Sequence, residues 1–364
     1  MKTILRLAVA AAAAWSWPAG AQGVYDTNVH TAPQFVQYRL AAPINETISE
    51  FTTPIFVVVP VSQTLTFDVG TAYAWARVSP NGSNAEATSS ISGLTDTQVR
   101  ANLALGTDFV VLTAGVNLPT GRETATQTQQ LAAFRIGSDF LAFPISNMGT
   151  GLGFTGGVAL ARPLGSWNFG LGASVRQSSA YDPVVASGGA RVRFEPGNEY
   201  RARVGLDHAF GTGRVAFGMT YSKFGDDDLG GSIYNTGDRY IAQAGFNNSF
   251  GGARVLVNAW NLYRRSGMIF TGERTGPESI ANLLVGVGFT TLSGVLEPSV
   301  ELRNWTQETL SASTLATLGM RYTLESGGMS VTPSGGYTFG RFAAVSGNAD
   351  LSGFRAALAV RWGL

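Results

Sequence analysis

Apolar and polar residues alternate along most of this chain, in runs of about 10–13 residues divided by turn residues. Thr64 to Val78 shows the pattern well. Leu65, Phe67, Val69, Tyr73 and Trp75 fall on one face, and Thr66, Asp68, Gly70, Ala72 and Ala74 on the other. The stretch from Asp350 to Leu364 repeats it. Phe354, Ala356, Leu358, Val360 and Trp362 form an apolar row, backed by Leu351, Gly353, Arg355, Ala357, Ala359 and Arg361. Successive side chains on a strand point to opposite faces, so each run is an apolar face backed by a small or polar one.

The runs follow a rhythm of short turns and longer connections. Gln34 to Ala42 is a weak first strand, and Ile48 to Val59 a clearer one with Phe51, Ile55, Val57 and Val59 on one face. Val61-Ser62-Gln63 is a tight turn, and Ser79 to Gly93 reads as a polar loop. Glycine-rich turns at 162–165, 211–213, 251–252, 293–294 and 326–328 alternate with longer polar segments. The longest connection, Pro119 to Thr150, contains Leu131 to Phe143, which reads either as a short helix or as a loop folded inward.

Strands of this length exceed those of soluble sheets, about 5–6 residues, and suit a tilted bilayer crossing. The pattern predicts an all-β fold, a transmembrane antiparallel up-and-down β-barrel of about 16 strands, with 14 as the alternative if the Gln34 segment is loop and one further segment is not a strand. A final strand running down to the periplasm requires an even number, so the Gln34 segment is expected to pair with it and close the sheet. Trp75, Trp167, Phe250, Tyr322, Phe339 and Trp362 stand near strand ends, where interfacial girdles belong. Soluble propellers and sandwiches remain the competing all-β reading.

Composition and address agree with a barrel. Charged residues are 13% of the chain, low for a water-exposed surface, and the net charge of +1 implies no polyanion partner. There are 46 glycines, and with no cysteine neither a disulfide framework nor thiol chemistry is expected. Lys2 and Arg6, the apolar Leu7 to Ala14 and the small Ala19-Gly20-Ala21 read as a signal peptide, 1–21. A periplasmic lead-in, 22–33, and a single barrel, 34–364, with the inserted loop 119–150, are expected to follow. The address is the outer membrane of a Gram-negative-type bacterium. Its lipid and lipopolysaccharide are expected partners, and the last strand is expected to engage the outer-membrane assembly machinery. The oligomeric state is left open.

If the apolar row faces lipid, the opposite row lines the lumen. It collects Arg100, Arg176, Arg201, Arg203, Arg214, Arg239, Arg254, Arg303, Arg321, Arg355 and Arg361 against Asp68, Asp96, Asp207, Glu297 and Glu301. Gln98, Asn102, Gln243, Asn247 and Asn258 add neutral hydrogen-bonding groups. A cationic wall favours anionic solutes. The plainer reading is that these arginines pair with the acids and brace the wall.

Other chemistry finds little support. Asp226, Asp227 and Asp228, near Gly230-Gly231, supply oxygen ligands but lack the spacing of a calcium loop, so a solvated outer loop is expected and no metal. His208 lies beside Asp207, but strand neighbours face opposite ways, which places His208 in a girdle. No nucleophile elbow, dinucleotide signature or nucleic-acid stripe is present, and neither enzymatic activity nor a cofactor is expected.

The whole pattern resembles Gram-negative outer-membrane β-barrel channels, with the last strand similar to their carboxy-terminal assembly signal. Asn117-Leu118-Pro119-Thr120-Gly121 and Gly93-Leu94-Thr95-Asp96-Thr97 are similar to stretches of barrels from phenol and aromatic-hydrocarbon pathways, a branch of the hydrophobic-solute channel group. The fatty-acid members of that group carry an N-terminal hatch, and 22–33 is too short for one. The expected function is an outer-membrane channel for passive passage of small solutes, mildly anion-preferring. A gated uptake channel for hydrophobic or aromatic compounds and a structural or adhesive barrel with a blocked lumen are the alternatives.

Overall fold

A computed structural model describes residues 27–81, 88–106, 109–186, 188–269, 271–308 and 310–363. The segment read as a signal peptide lies outside them. The strands close into a 16-stranded antiparallel barrel, each hydrogen-bonded to its neighbours in sequence.

The wall begins with β1, which is Asn28–Thr31 and Gln34–Leu40 in one continuous register, interrupted at Ala32-Pro33. Proline has no N–H to give a ladder, which accounts for the break. Next come β2 (Glu46–Pro60) and β3 (Leu65–Pro80). β4 is again in two parts, Ser89–Leu94 and Thr97–Leu105, and β5 is Val110–Leu118. Then follow β6 (Gly153–Leu164), β7 (Trp167–Ser178), β8 (Glu199–Phe210), β9 (Gly213–Phe224), β10 (Arg239–Phe250) and β11 (Ala253–Arg264). The last five are β12 (Glu278–Thr290), β13 (Val295–Gln307), β14 (Ser313–Ser326), β15 (Met329–Ala344) and β16 (Gly347–Gly363).

The Gln34 segment is the closing strand. Gln34 pairs with Ala357 and Leu40 with Leu351, while the other edge of β1 pairs with β2. Asn28–Thr31 pairs with Val360–Gly363, so the wall starts inside the stretch read as a lead-in. The outer half of β4 also departs from expectation. Ser89–Leu94 belongs to the wall, although Ser79 to Gly93 reads as a loop. Tyr73 opposes Leu94 and Gly70 opposes Gln98, so β4 carries one extra residue there. That bulge, at Thr95-Asp96, is held by Thr95 N–H to Ala72 O at 2.7 Å and Ala72 N–H to Thr95 Oγ1 at 2.9 Å.

The outward faces carry the apolar rows. Phe67, Tyr73, Leu112, Leu171, Phe217, Leu318, Phe354 and Trp362 are all exposed, an arrangement stable in lipid and not in water. No described helix is long and apolar enough to cross a membrane. Short turns and both described chain ends gather at one end, long connections at the other, which orients the barrel with its long loops outside. A girdle runs near the short-turn end, where Trp167 stacks on His208 at 4.9 Å and His208 on Phe210 at 6.0 Å.

The buried apolar core lies within the barrel, not between two sheets. The connection from β5 to β6 carries the helix α1 (Gln130–Ile136), and then runs on without regular structure. Its Ala132, Ile136, Phe140, Leu141, Phe143 and Met148 are buried against residues of β1 to β4 and β11 to β16. Beyond the rim, Tyr181–Val185, Arg191–Glu195, Asp227–Leu229 and Ser232–Tyr234 form a four-stranded sheet, which the sequence pattern did not announce.

Candidate functional site: the inner wall and its inserted loop

Loop 119–152 is latched at both ends by one carboxylate. Asp96 Oδ1 accepts from Gly121 N–H at 3.0 Å. Asp96 Oδ2 accepts from Thr150 N–H at 2.6 Å and from Asn117 Nδ2 at 2.8 Å. The β4 bulge re-aims the strand at this residue. Around the latch, Thr97 N–H donates to Thr120 Oγ1 at 2.8 Å, Arg122 N–H to Leu94 O at 3.1 Å, and Arg122 Nη1 to Ser92 O at 3.0 Å. The two stretches singled out by resemblance, 93–97 and 117–121, are therefore the two halves of this latch. Gly121 is needed there, because a Cβ would collide with the backbone of Asp96 and Met148.

Beyond the latch the loop grips opposite parts of the wall. Arg135 of α1 pairs with Glu46 of β2 at 2.5 Å, and Ala132 N–H donates to Ser89 Oγ of β4 at 3.0 Å. Ile145 N–H donates to Glu50 Oε1 of β2 at 2.8 Å. Far across the chain, Arg264 of β11 bonds Asp139 at 2.6 Å, and Arg303 Nη1 of β13 donates to Phe140 O at 2.7 Å. The Phe140 ring stacks on Trp305 at 5.3 Å and Phe342 at 6.0 Å, and Phe143 meets Tyr38 edge-on at 5.4 Å. Fully burying an aliphatic or aromatic side chain contributes about 1.5–3 kcal/mol, so these few residues supply on the order of 10 kcal/mol as an upper bound.

The expected inward residues divide into pairs and singles. Arg100 lies 3.5 Å from Asp68, Arg214 3.1 Å from Asp207, and Arg321 2.8 Å from Glu297. Glu301 is buried between Arg303 at 2.5 Å and Arg355 at 2.6 Å. Arg201 takes Glu199 as its partner at 2.6 Å, and Arg203 bonds Thr220 Oγ1 at 3.1 Å. Arg176 donates to Thr150 Oγ1 at 3.3 Å, Arg239 sits over the Phe224 ring at 5.2 Å, and Arg254 is exposed. Arg361 stands opposite Ser330 and His30 in the ladder. Asn102 donates to Asp68 at 2.9 Å and accepts from Thr113.

The charges are unevenly spread around the wall. The arc β11 to β16 and β1 to β4 meets the docked loop, and its buried charges are largely paired. The arc β7 to β10 carries Arg176, Arg201, Arg203, Arg214 and Arg239, against Glu199 and Asp207. Phe56 breaks the polar inner pattern. It is half exposed, and its ring covers Gly70, where a Cβ would meet it at 2.6 Å.

Alternation alone left several of these residues unread. Glu46 and Glu50 share the face of β2 opposite Phe51 and Ile55, a signal that would have found them. Arg135, Asp139 and Phe140 lie in a loop with no periodic pattern to place them.

In the outer loops, Asp226, Asp227 and Asp228 do not converge. Asp226 Oδ1 accepts from Asn235 Nδ2 at 3.0 Å, Asp227 Oδ1 from Gly197 N–H at 2.8 Å, and Asp228 Oδ1 from Gly231 N–H at 2.7 Å. Burial, with a smaller push from Asp226, raises the Asp227 carboxyl above its ordinary value although the Gly197 bond opposes it. Burial pushes the phenols of Tyr181 and Tyr234 up to about 12. Glu123 is raised by desolvation, then by Asp96 and Asp182.

No protein-family model and no curated protein sequence matches the chain. Among solved structures, a bacterial polysaccharide outer membrane secretin is similar with a TM-score of 0.51 at 8% identity, covering 94% of this chain and 100% of that one. An outer membrane channel from Pseudomonas putida F1 gives 0.43 at 14% identity, covering 96% and 100%. A monoaromatic hydrocarbon channel gives 0.46 at 10% identity, covering 93% and 89%. The likeness to the secretin, at 8% identity, is likeness of fold alone.

Proposed function

We propose that this chain is an outer-membrane channel for small solutes, narrowed by loop 119–152 and with a mild preference for anions. The observation that carries the reading is the docking of that loop on the inner faces of β1 to β4 and β11 to β16. A solute path then runs beside the loop, along β7 to β10. Arginines outnumber acids on that arc, and a charged wall of one sign raises the local concentration of counter-ions. The arginine pairs elsewhere brace the wall and hold the loop.

A second reading, gated uptake of hydrophobic or aromatic compounds, has one observation in its favour. α1 buries Ala132 and Ile136 but leaves Leu131 and Phe134 exposed, with Phe134 at 73%. An apolar helix face beside a path suits an apolar solute.

Purified protein in planar bilayers under a salt gradient tests the first reading. A small steady conductance with a reversal potential of anionic sign supports it, and cation preference overturns it. Liposome swelling with benzoate-like and neutral aromatic solutes separates the two readings. Uptake of neutral aromatics without ionic conductance favours the second.

A further inference from the structure

We propose that the outer rim of β15, β16, β1, β2 and β3 is a docking site for a phosphorylated lipid of the outer leaflet. Charged residues are scarce on the outward faces, yet this rim carries three arginines. Arg39 lies on β1 between Tyr38 and Leu40-facing core positions, with both of those neighbours buried and Arg39 itself exposed. Arg77 on β3 is likewise exposed between buried Ala76 and Val78. Arg341 on β15 is exposed opposite Asp350 of β16.

Register brings the three into one row. Arg39 stands opposite Thr47 and Ser352, Arg77 opposite Ser49, and Arg341 opposite Asp350. Each lies within three residues of the outer end of its strand, at Leu40, Pro80 and Ala344. Two strand spacings, about 10 Å, separate neighbours in the row. The offset of two residues per step follows the stagger of a tilted barrel, so the row runs along the membrane surface.

The charge balance is cationic. Arg341 Nε is 4.0 Å from Asp350, with both side chains largely exposed. Arg39 and Arg77 have no carboxylate partner among the described residues, and β2 between them presents Thr47 and Ser49. Just below, toward the membrane centre, Phe35 meets Phe354 at 5.5 Å, and Phe51 and Tyr73 are exposed. Guanidiniums over an aromatic shelf match an amphiphile with phosphate groups at the rim and acyl chains below. Arginine suits phosphate because its planar fork gives two parallel charge-assisted bonds. A water-soluble phosphate would have no use for the shelf.

The experiment uses the full chain in detergent, titrated with diphosphoryl lipid A, monophosphoryl lipid A and inorganic phosphate, with bound lipid read by native mass spectrometry. Diphosphoryl lipid A is expected to bind most tightly. The Arg39→Gln/Arg77→Gln variant should bind it about tenfold more weakly, while Arg39→Lys/Arg77→Lys, which keeps the charge and loses the fork, should fall between that variant and the parent. Lys223→Gln, at the outer end of β9, and Arg162→Gln, whose guanidinium lies 5.6 Å over the Phe109 ring, are the controls and should bind like the parent. Equal binding by the double glutamine variant overturns the proposal. So does an equal loss in either control, or displacement of lipid by equimolar inorganic phosphate. Conductance should be the same in all variants, which keeps this site separate from the channel reading.

Discussion

Arg303 on β13 donates to the backbone carbonyl of Phe140 at 2.7 Å, across 163 positions of sequence. Its other terminal nitrogen holds Glu301, which Arg355 also holds. One buried guanidinium thus ties the far end of the inserted loop to the wall, opposite the latch at Asp96.

Replacing Arg303 with alanine should loosen the loop without opening the barrel. A buried pair broken so that one charge is left uncompensated loses roughly 3–5 kcal/mol, and the loss here should fall below that. Arg355 still neutralises Glu301. The expected outcome in planar bilayers is a higher and noisier conductance, with retention of the compact, heat-modifiable band in unheated electrophoresis.

The latch should fail separately. Asp96→Ala removes the acceptor for Gly121 N–H, Thr150 N–H and Asn117, and each unmade buried hydrogen bond costs about 1–3 kcal/mol. Gly121→Ala should act in the same direction, because its Cβ has no room beside Asp96. Hydrogen exchange at Gly121 and Thr150 should accelerate in both variants, with β12 to β16 unchanged.

Charge on the β7 to β10 arc should set selectivity. Arg203→Glu with Arg239→Glu turns two cations into anions beside the path. The reversal potential should move toward cation preference, and more strongly at low salt, where screening is weak.

The outer four-stranded sheet should weaken as pH rises. The folded Asp227 carboxyl has a raised pKa, so its contribution is fully present below the unfolded value of about 3.9 and is lost as pH climbs through the folded value. Opening free energies from hydrogen exchange at Asp227–Leu229 should fall over that interval, and Asp227→Asn should flatten the dependence.

Much of this was legible in the sequence, because a barrel states its alternation on every strand. The parity of the last strand marks the Gln34 to Ala42 segment as its partner, and Gln34–Leu40 of that segment pairs there. The latch was half legible: 93–97 and 117–121 stood out as stretches, but only the β4 bulge explains why Asp96 reaches the loop. Ser89–Leu94 reads as loop because three serines and a glycine hide a strand whose inner face packs on a helix instead of water. The docking of Phe140 leaves no periodic trace, since its partners Trp305 and Phe342 lie more than a hundred residues away. The outer sheet was missed for a related reason. Its strands are three to five residues long, too short for alternation to register.

The central claim is that loop 119–152 narrows the channel. Single-channel conductance of the parent and of a variant with residues 122–149 replaced by a short glycine-serine linker tests it most directly. A severalfold larger conductance in the variant, with the anionic sign of selectivity kept, is the predicted result. Equal conductance in the two proteins would contradict it.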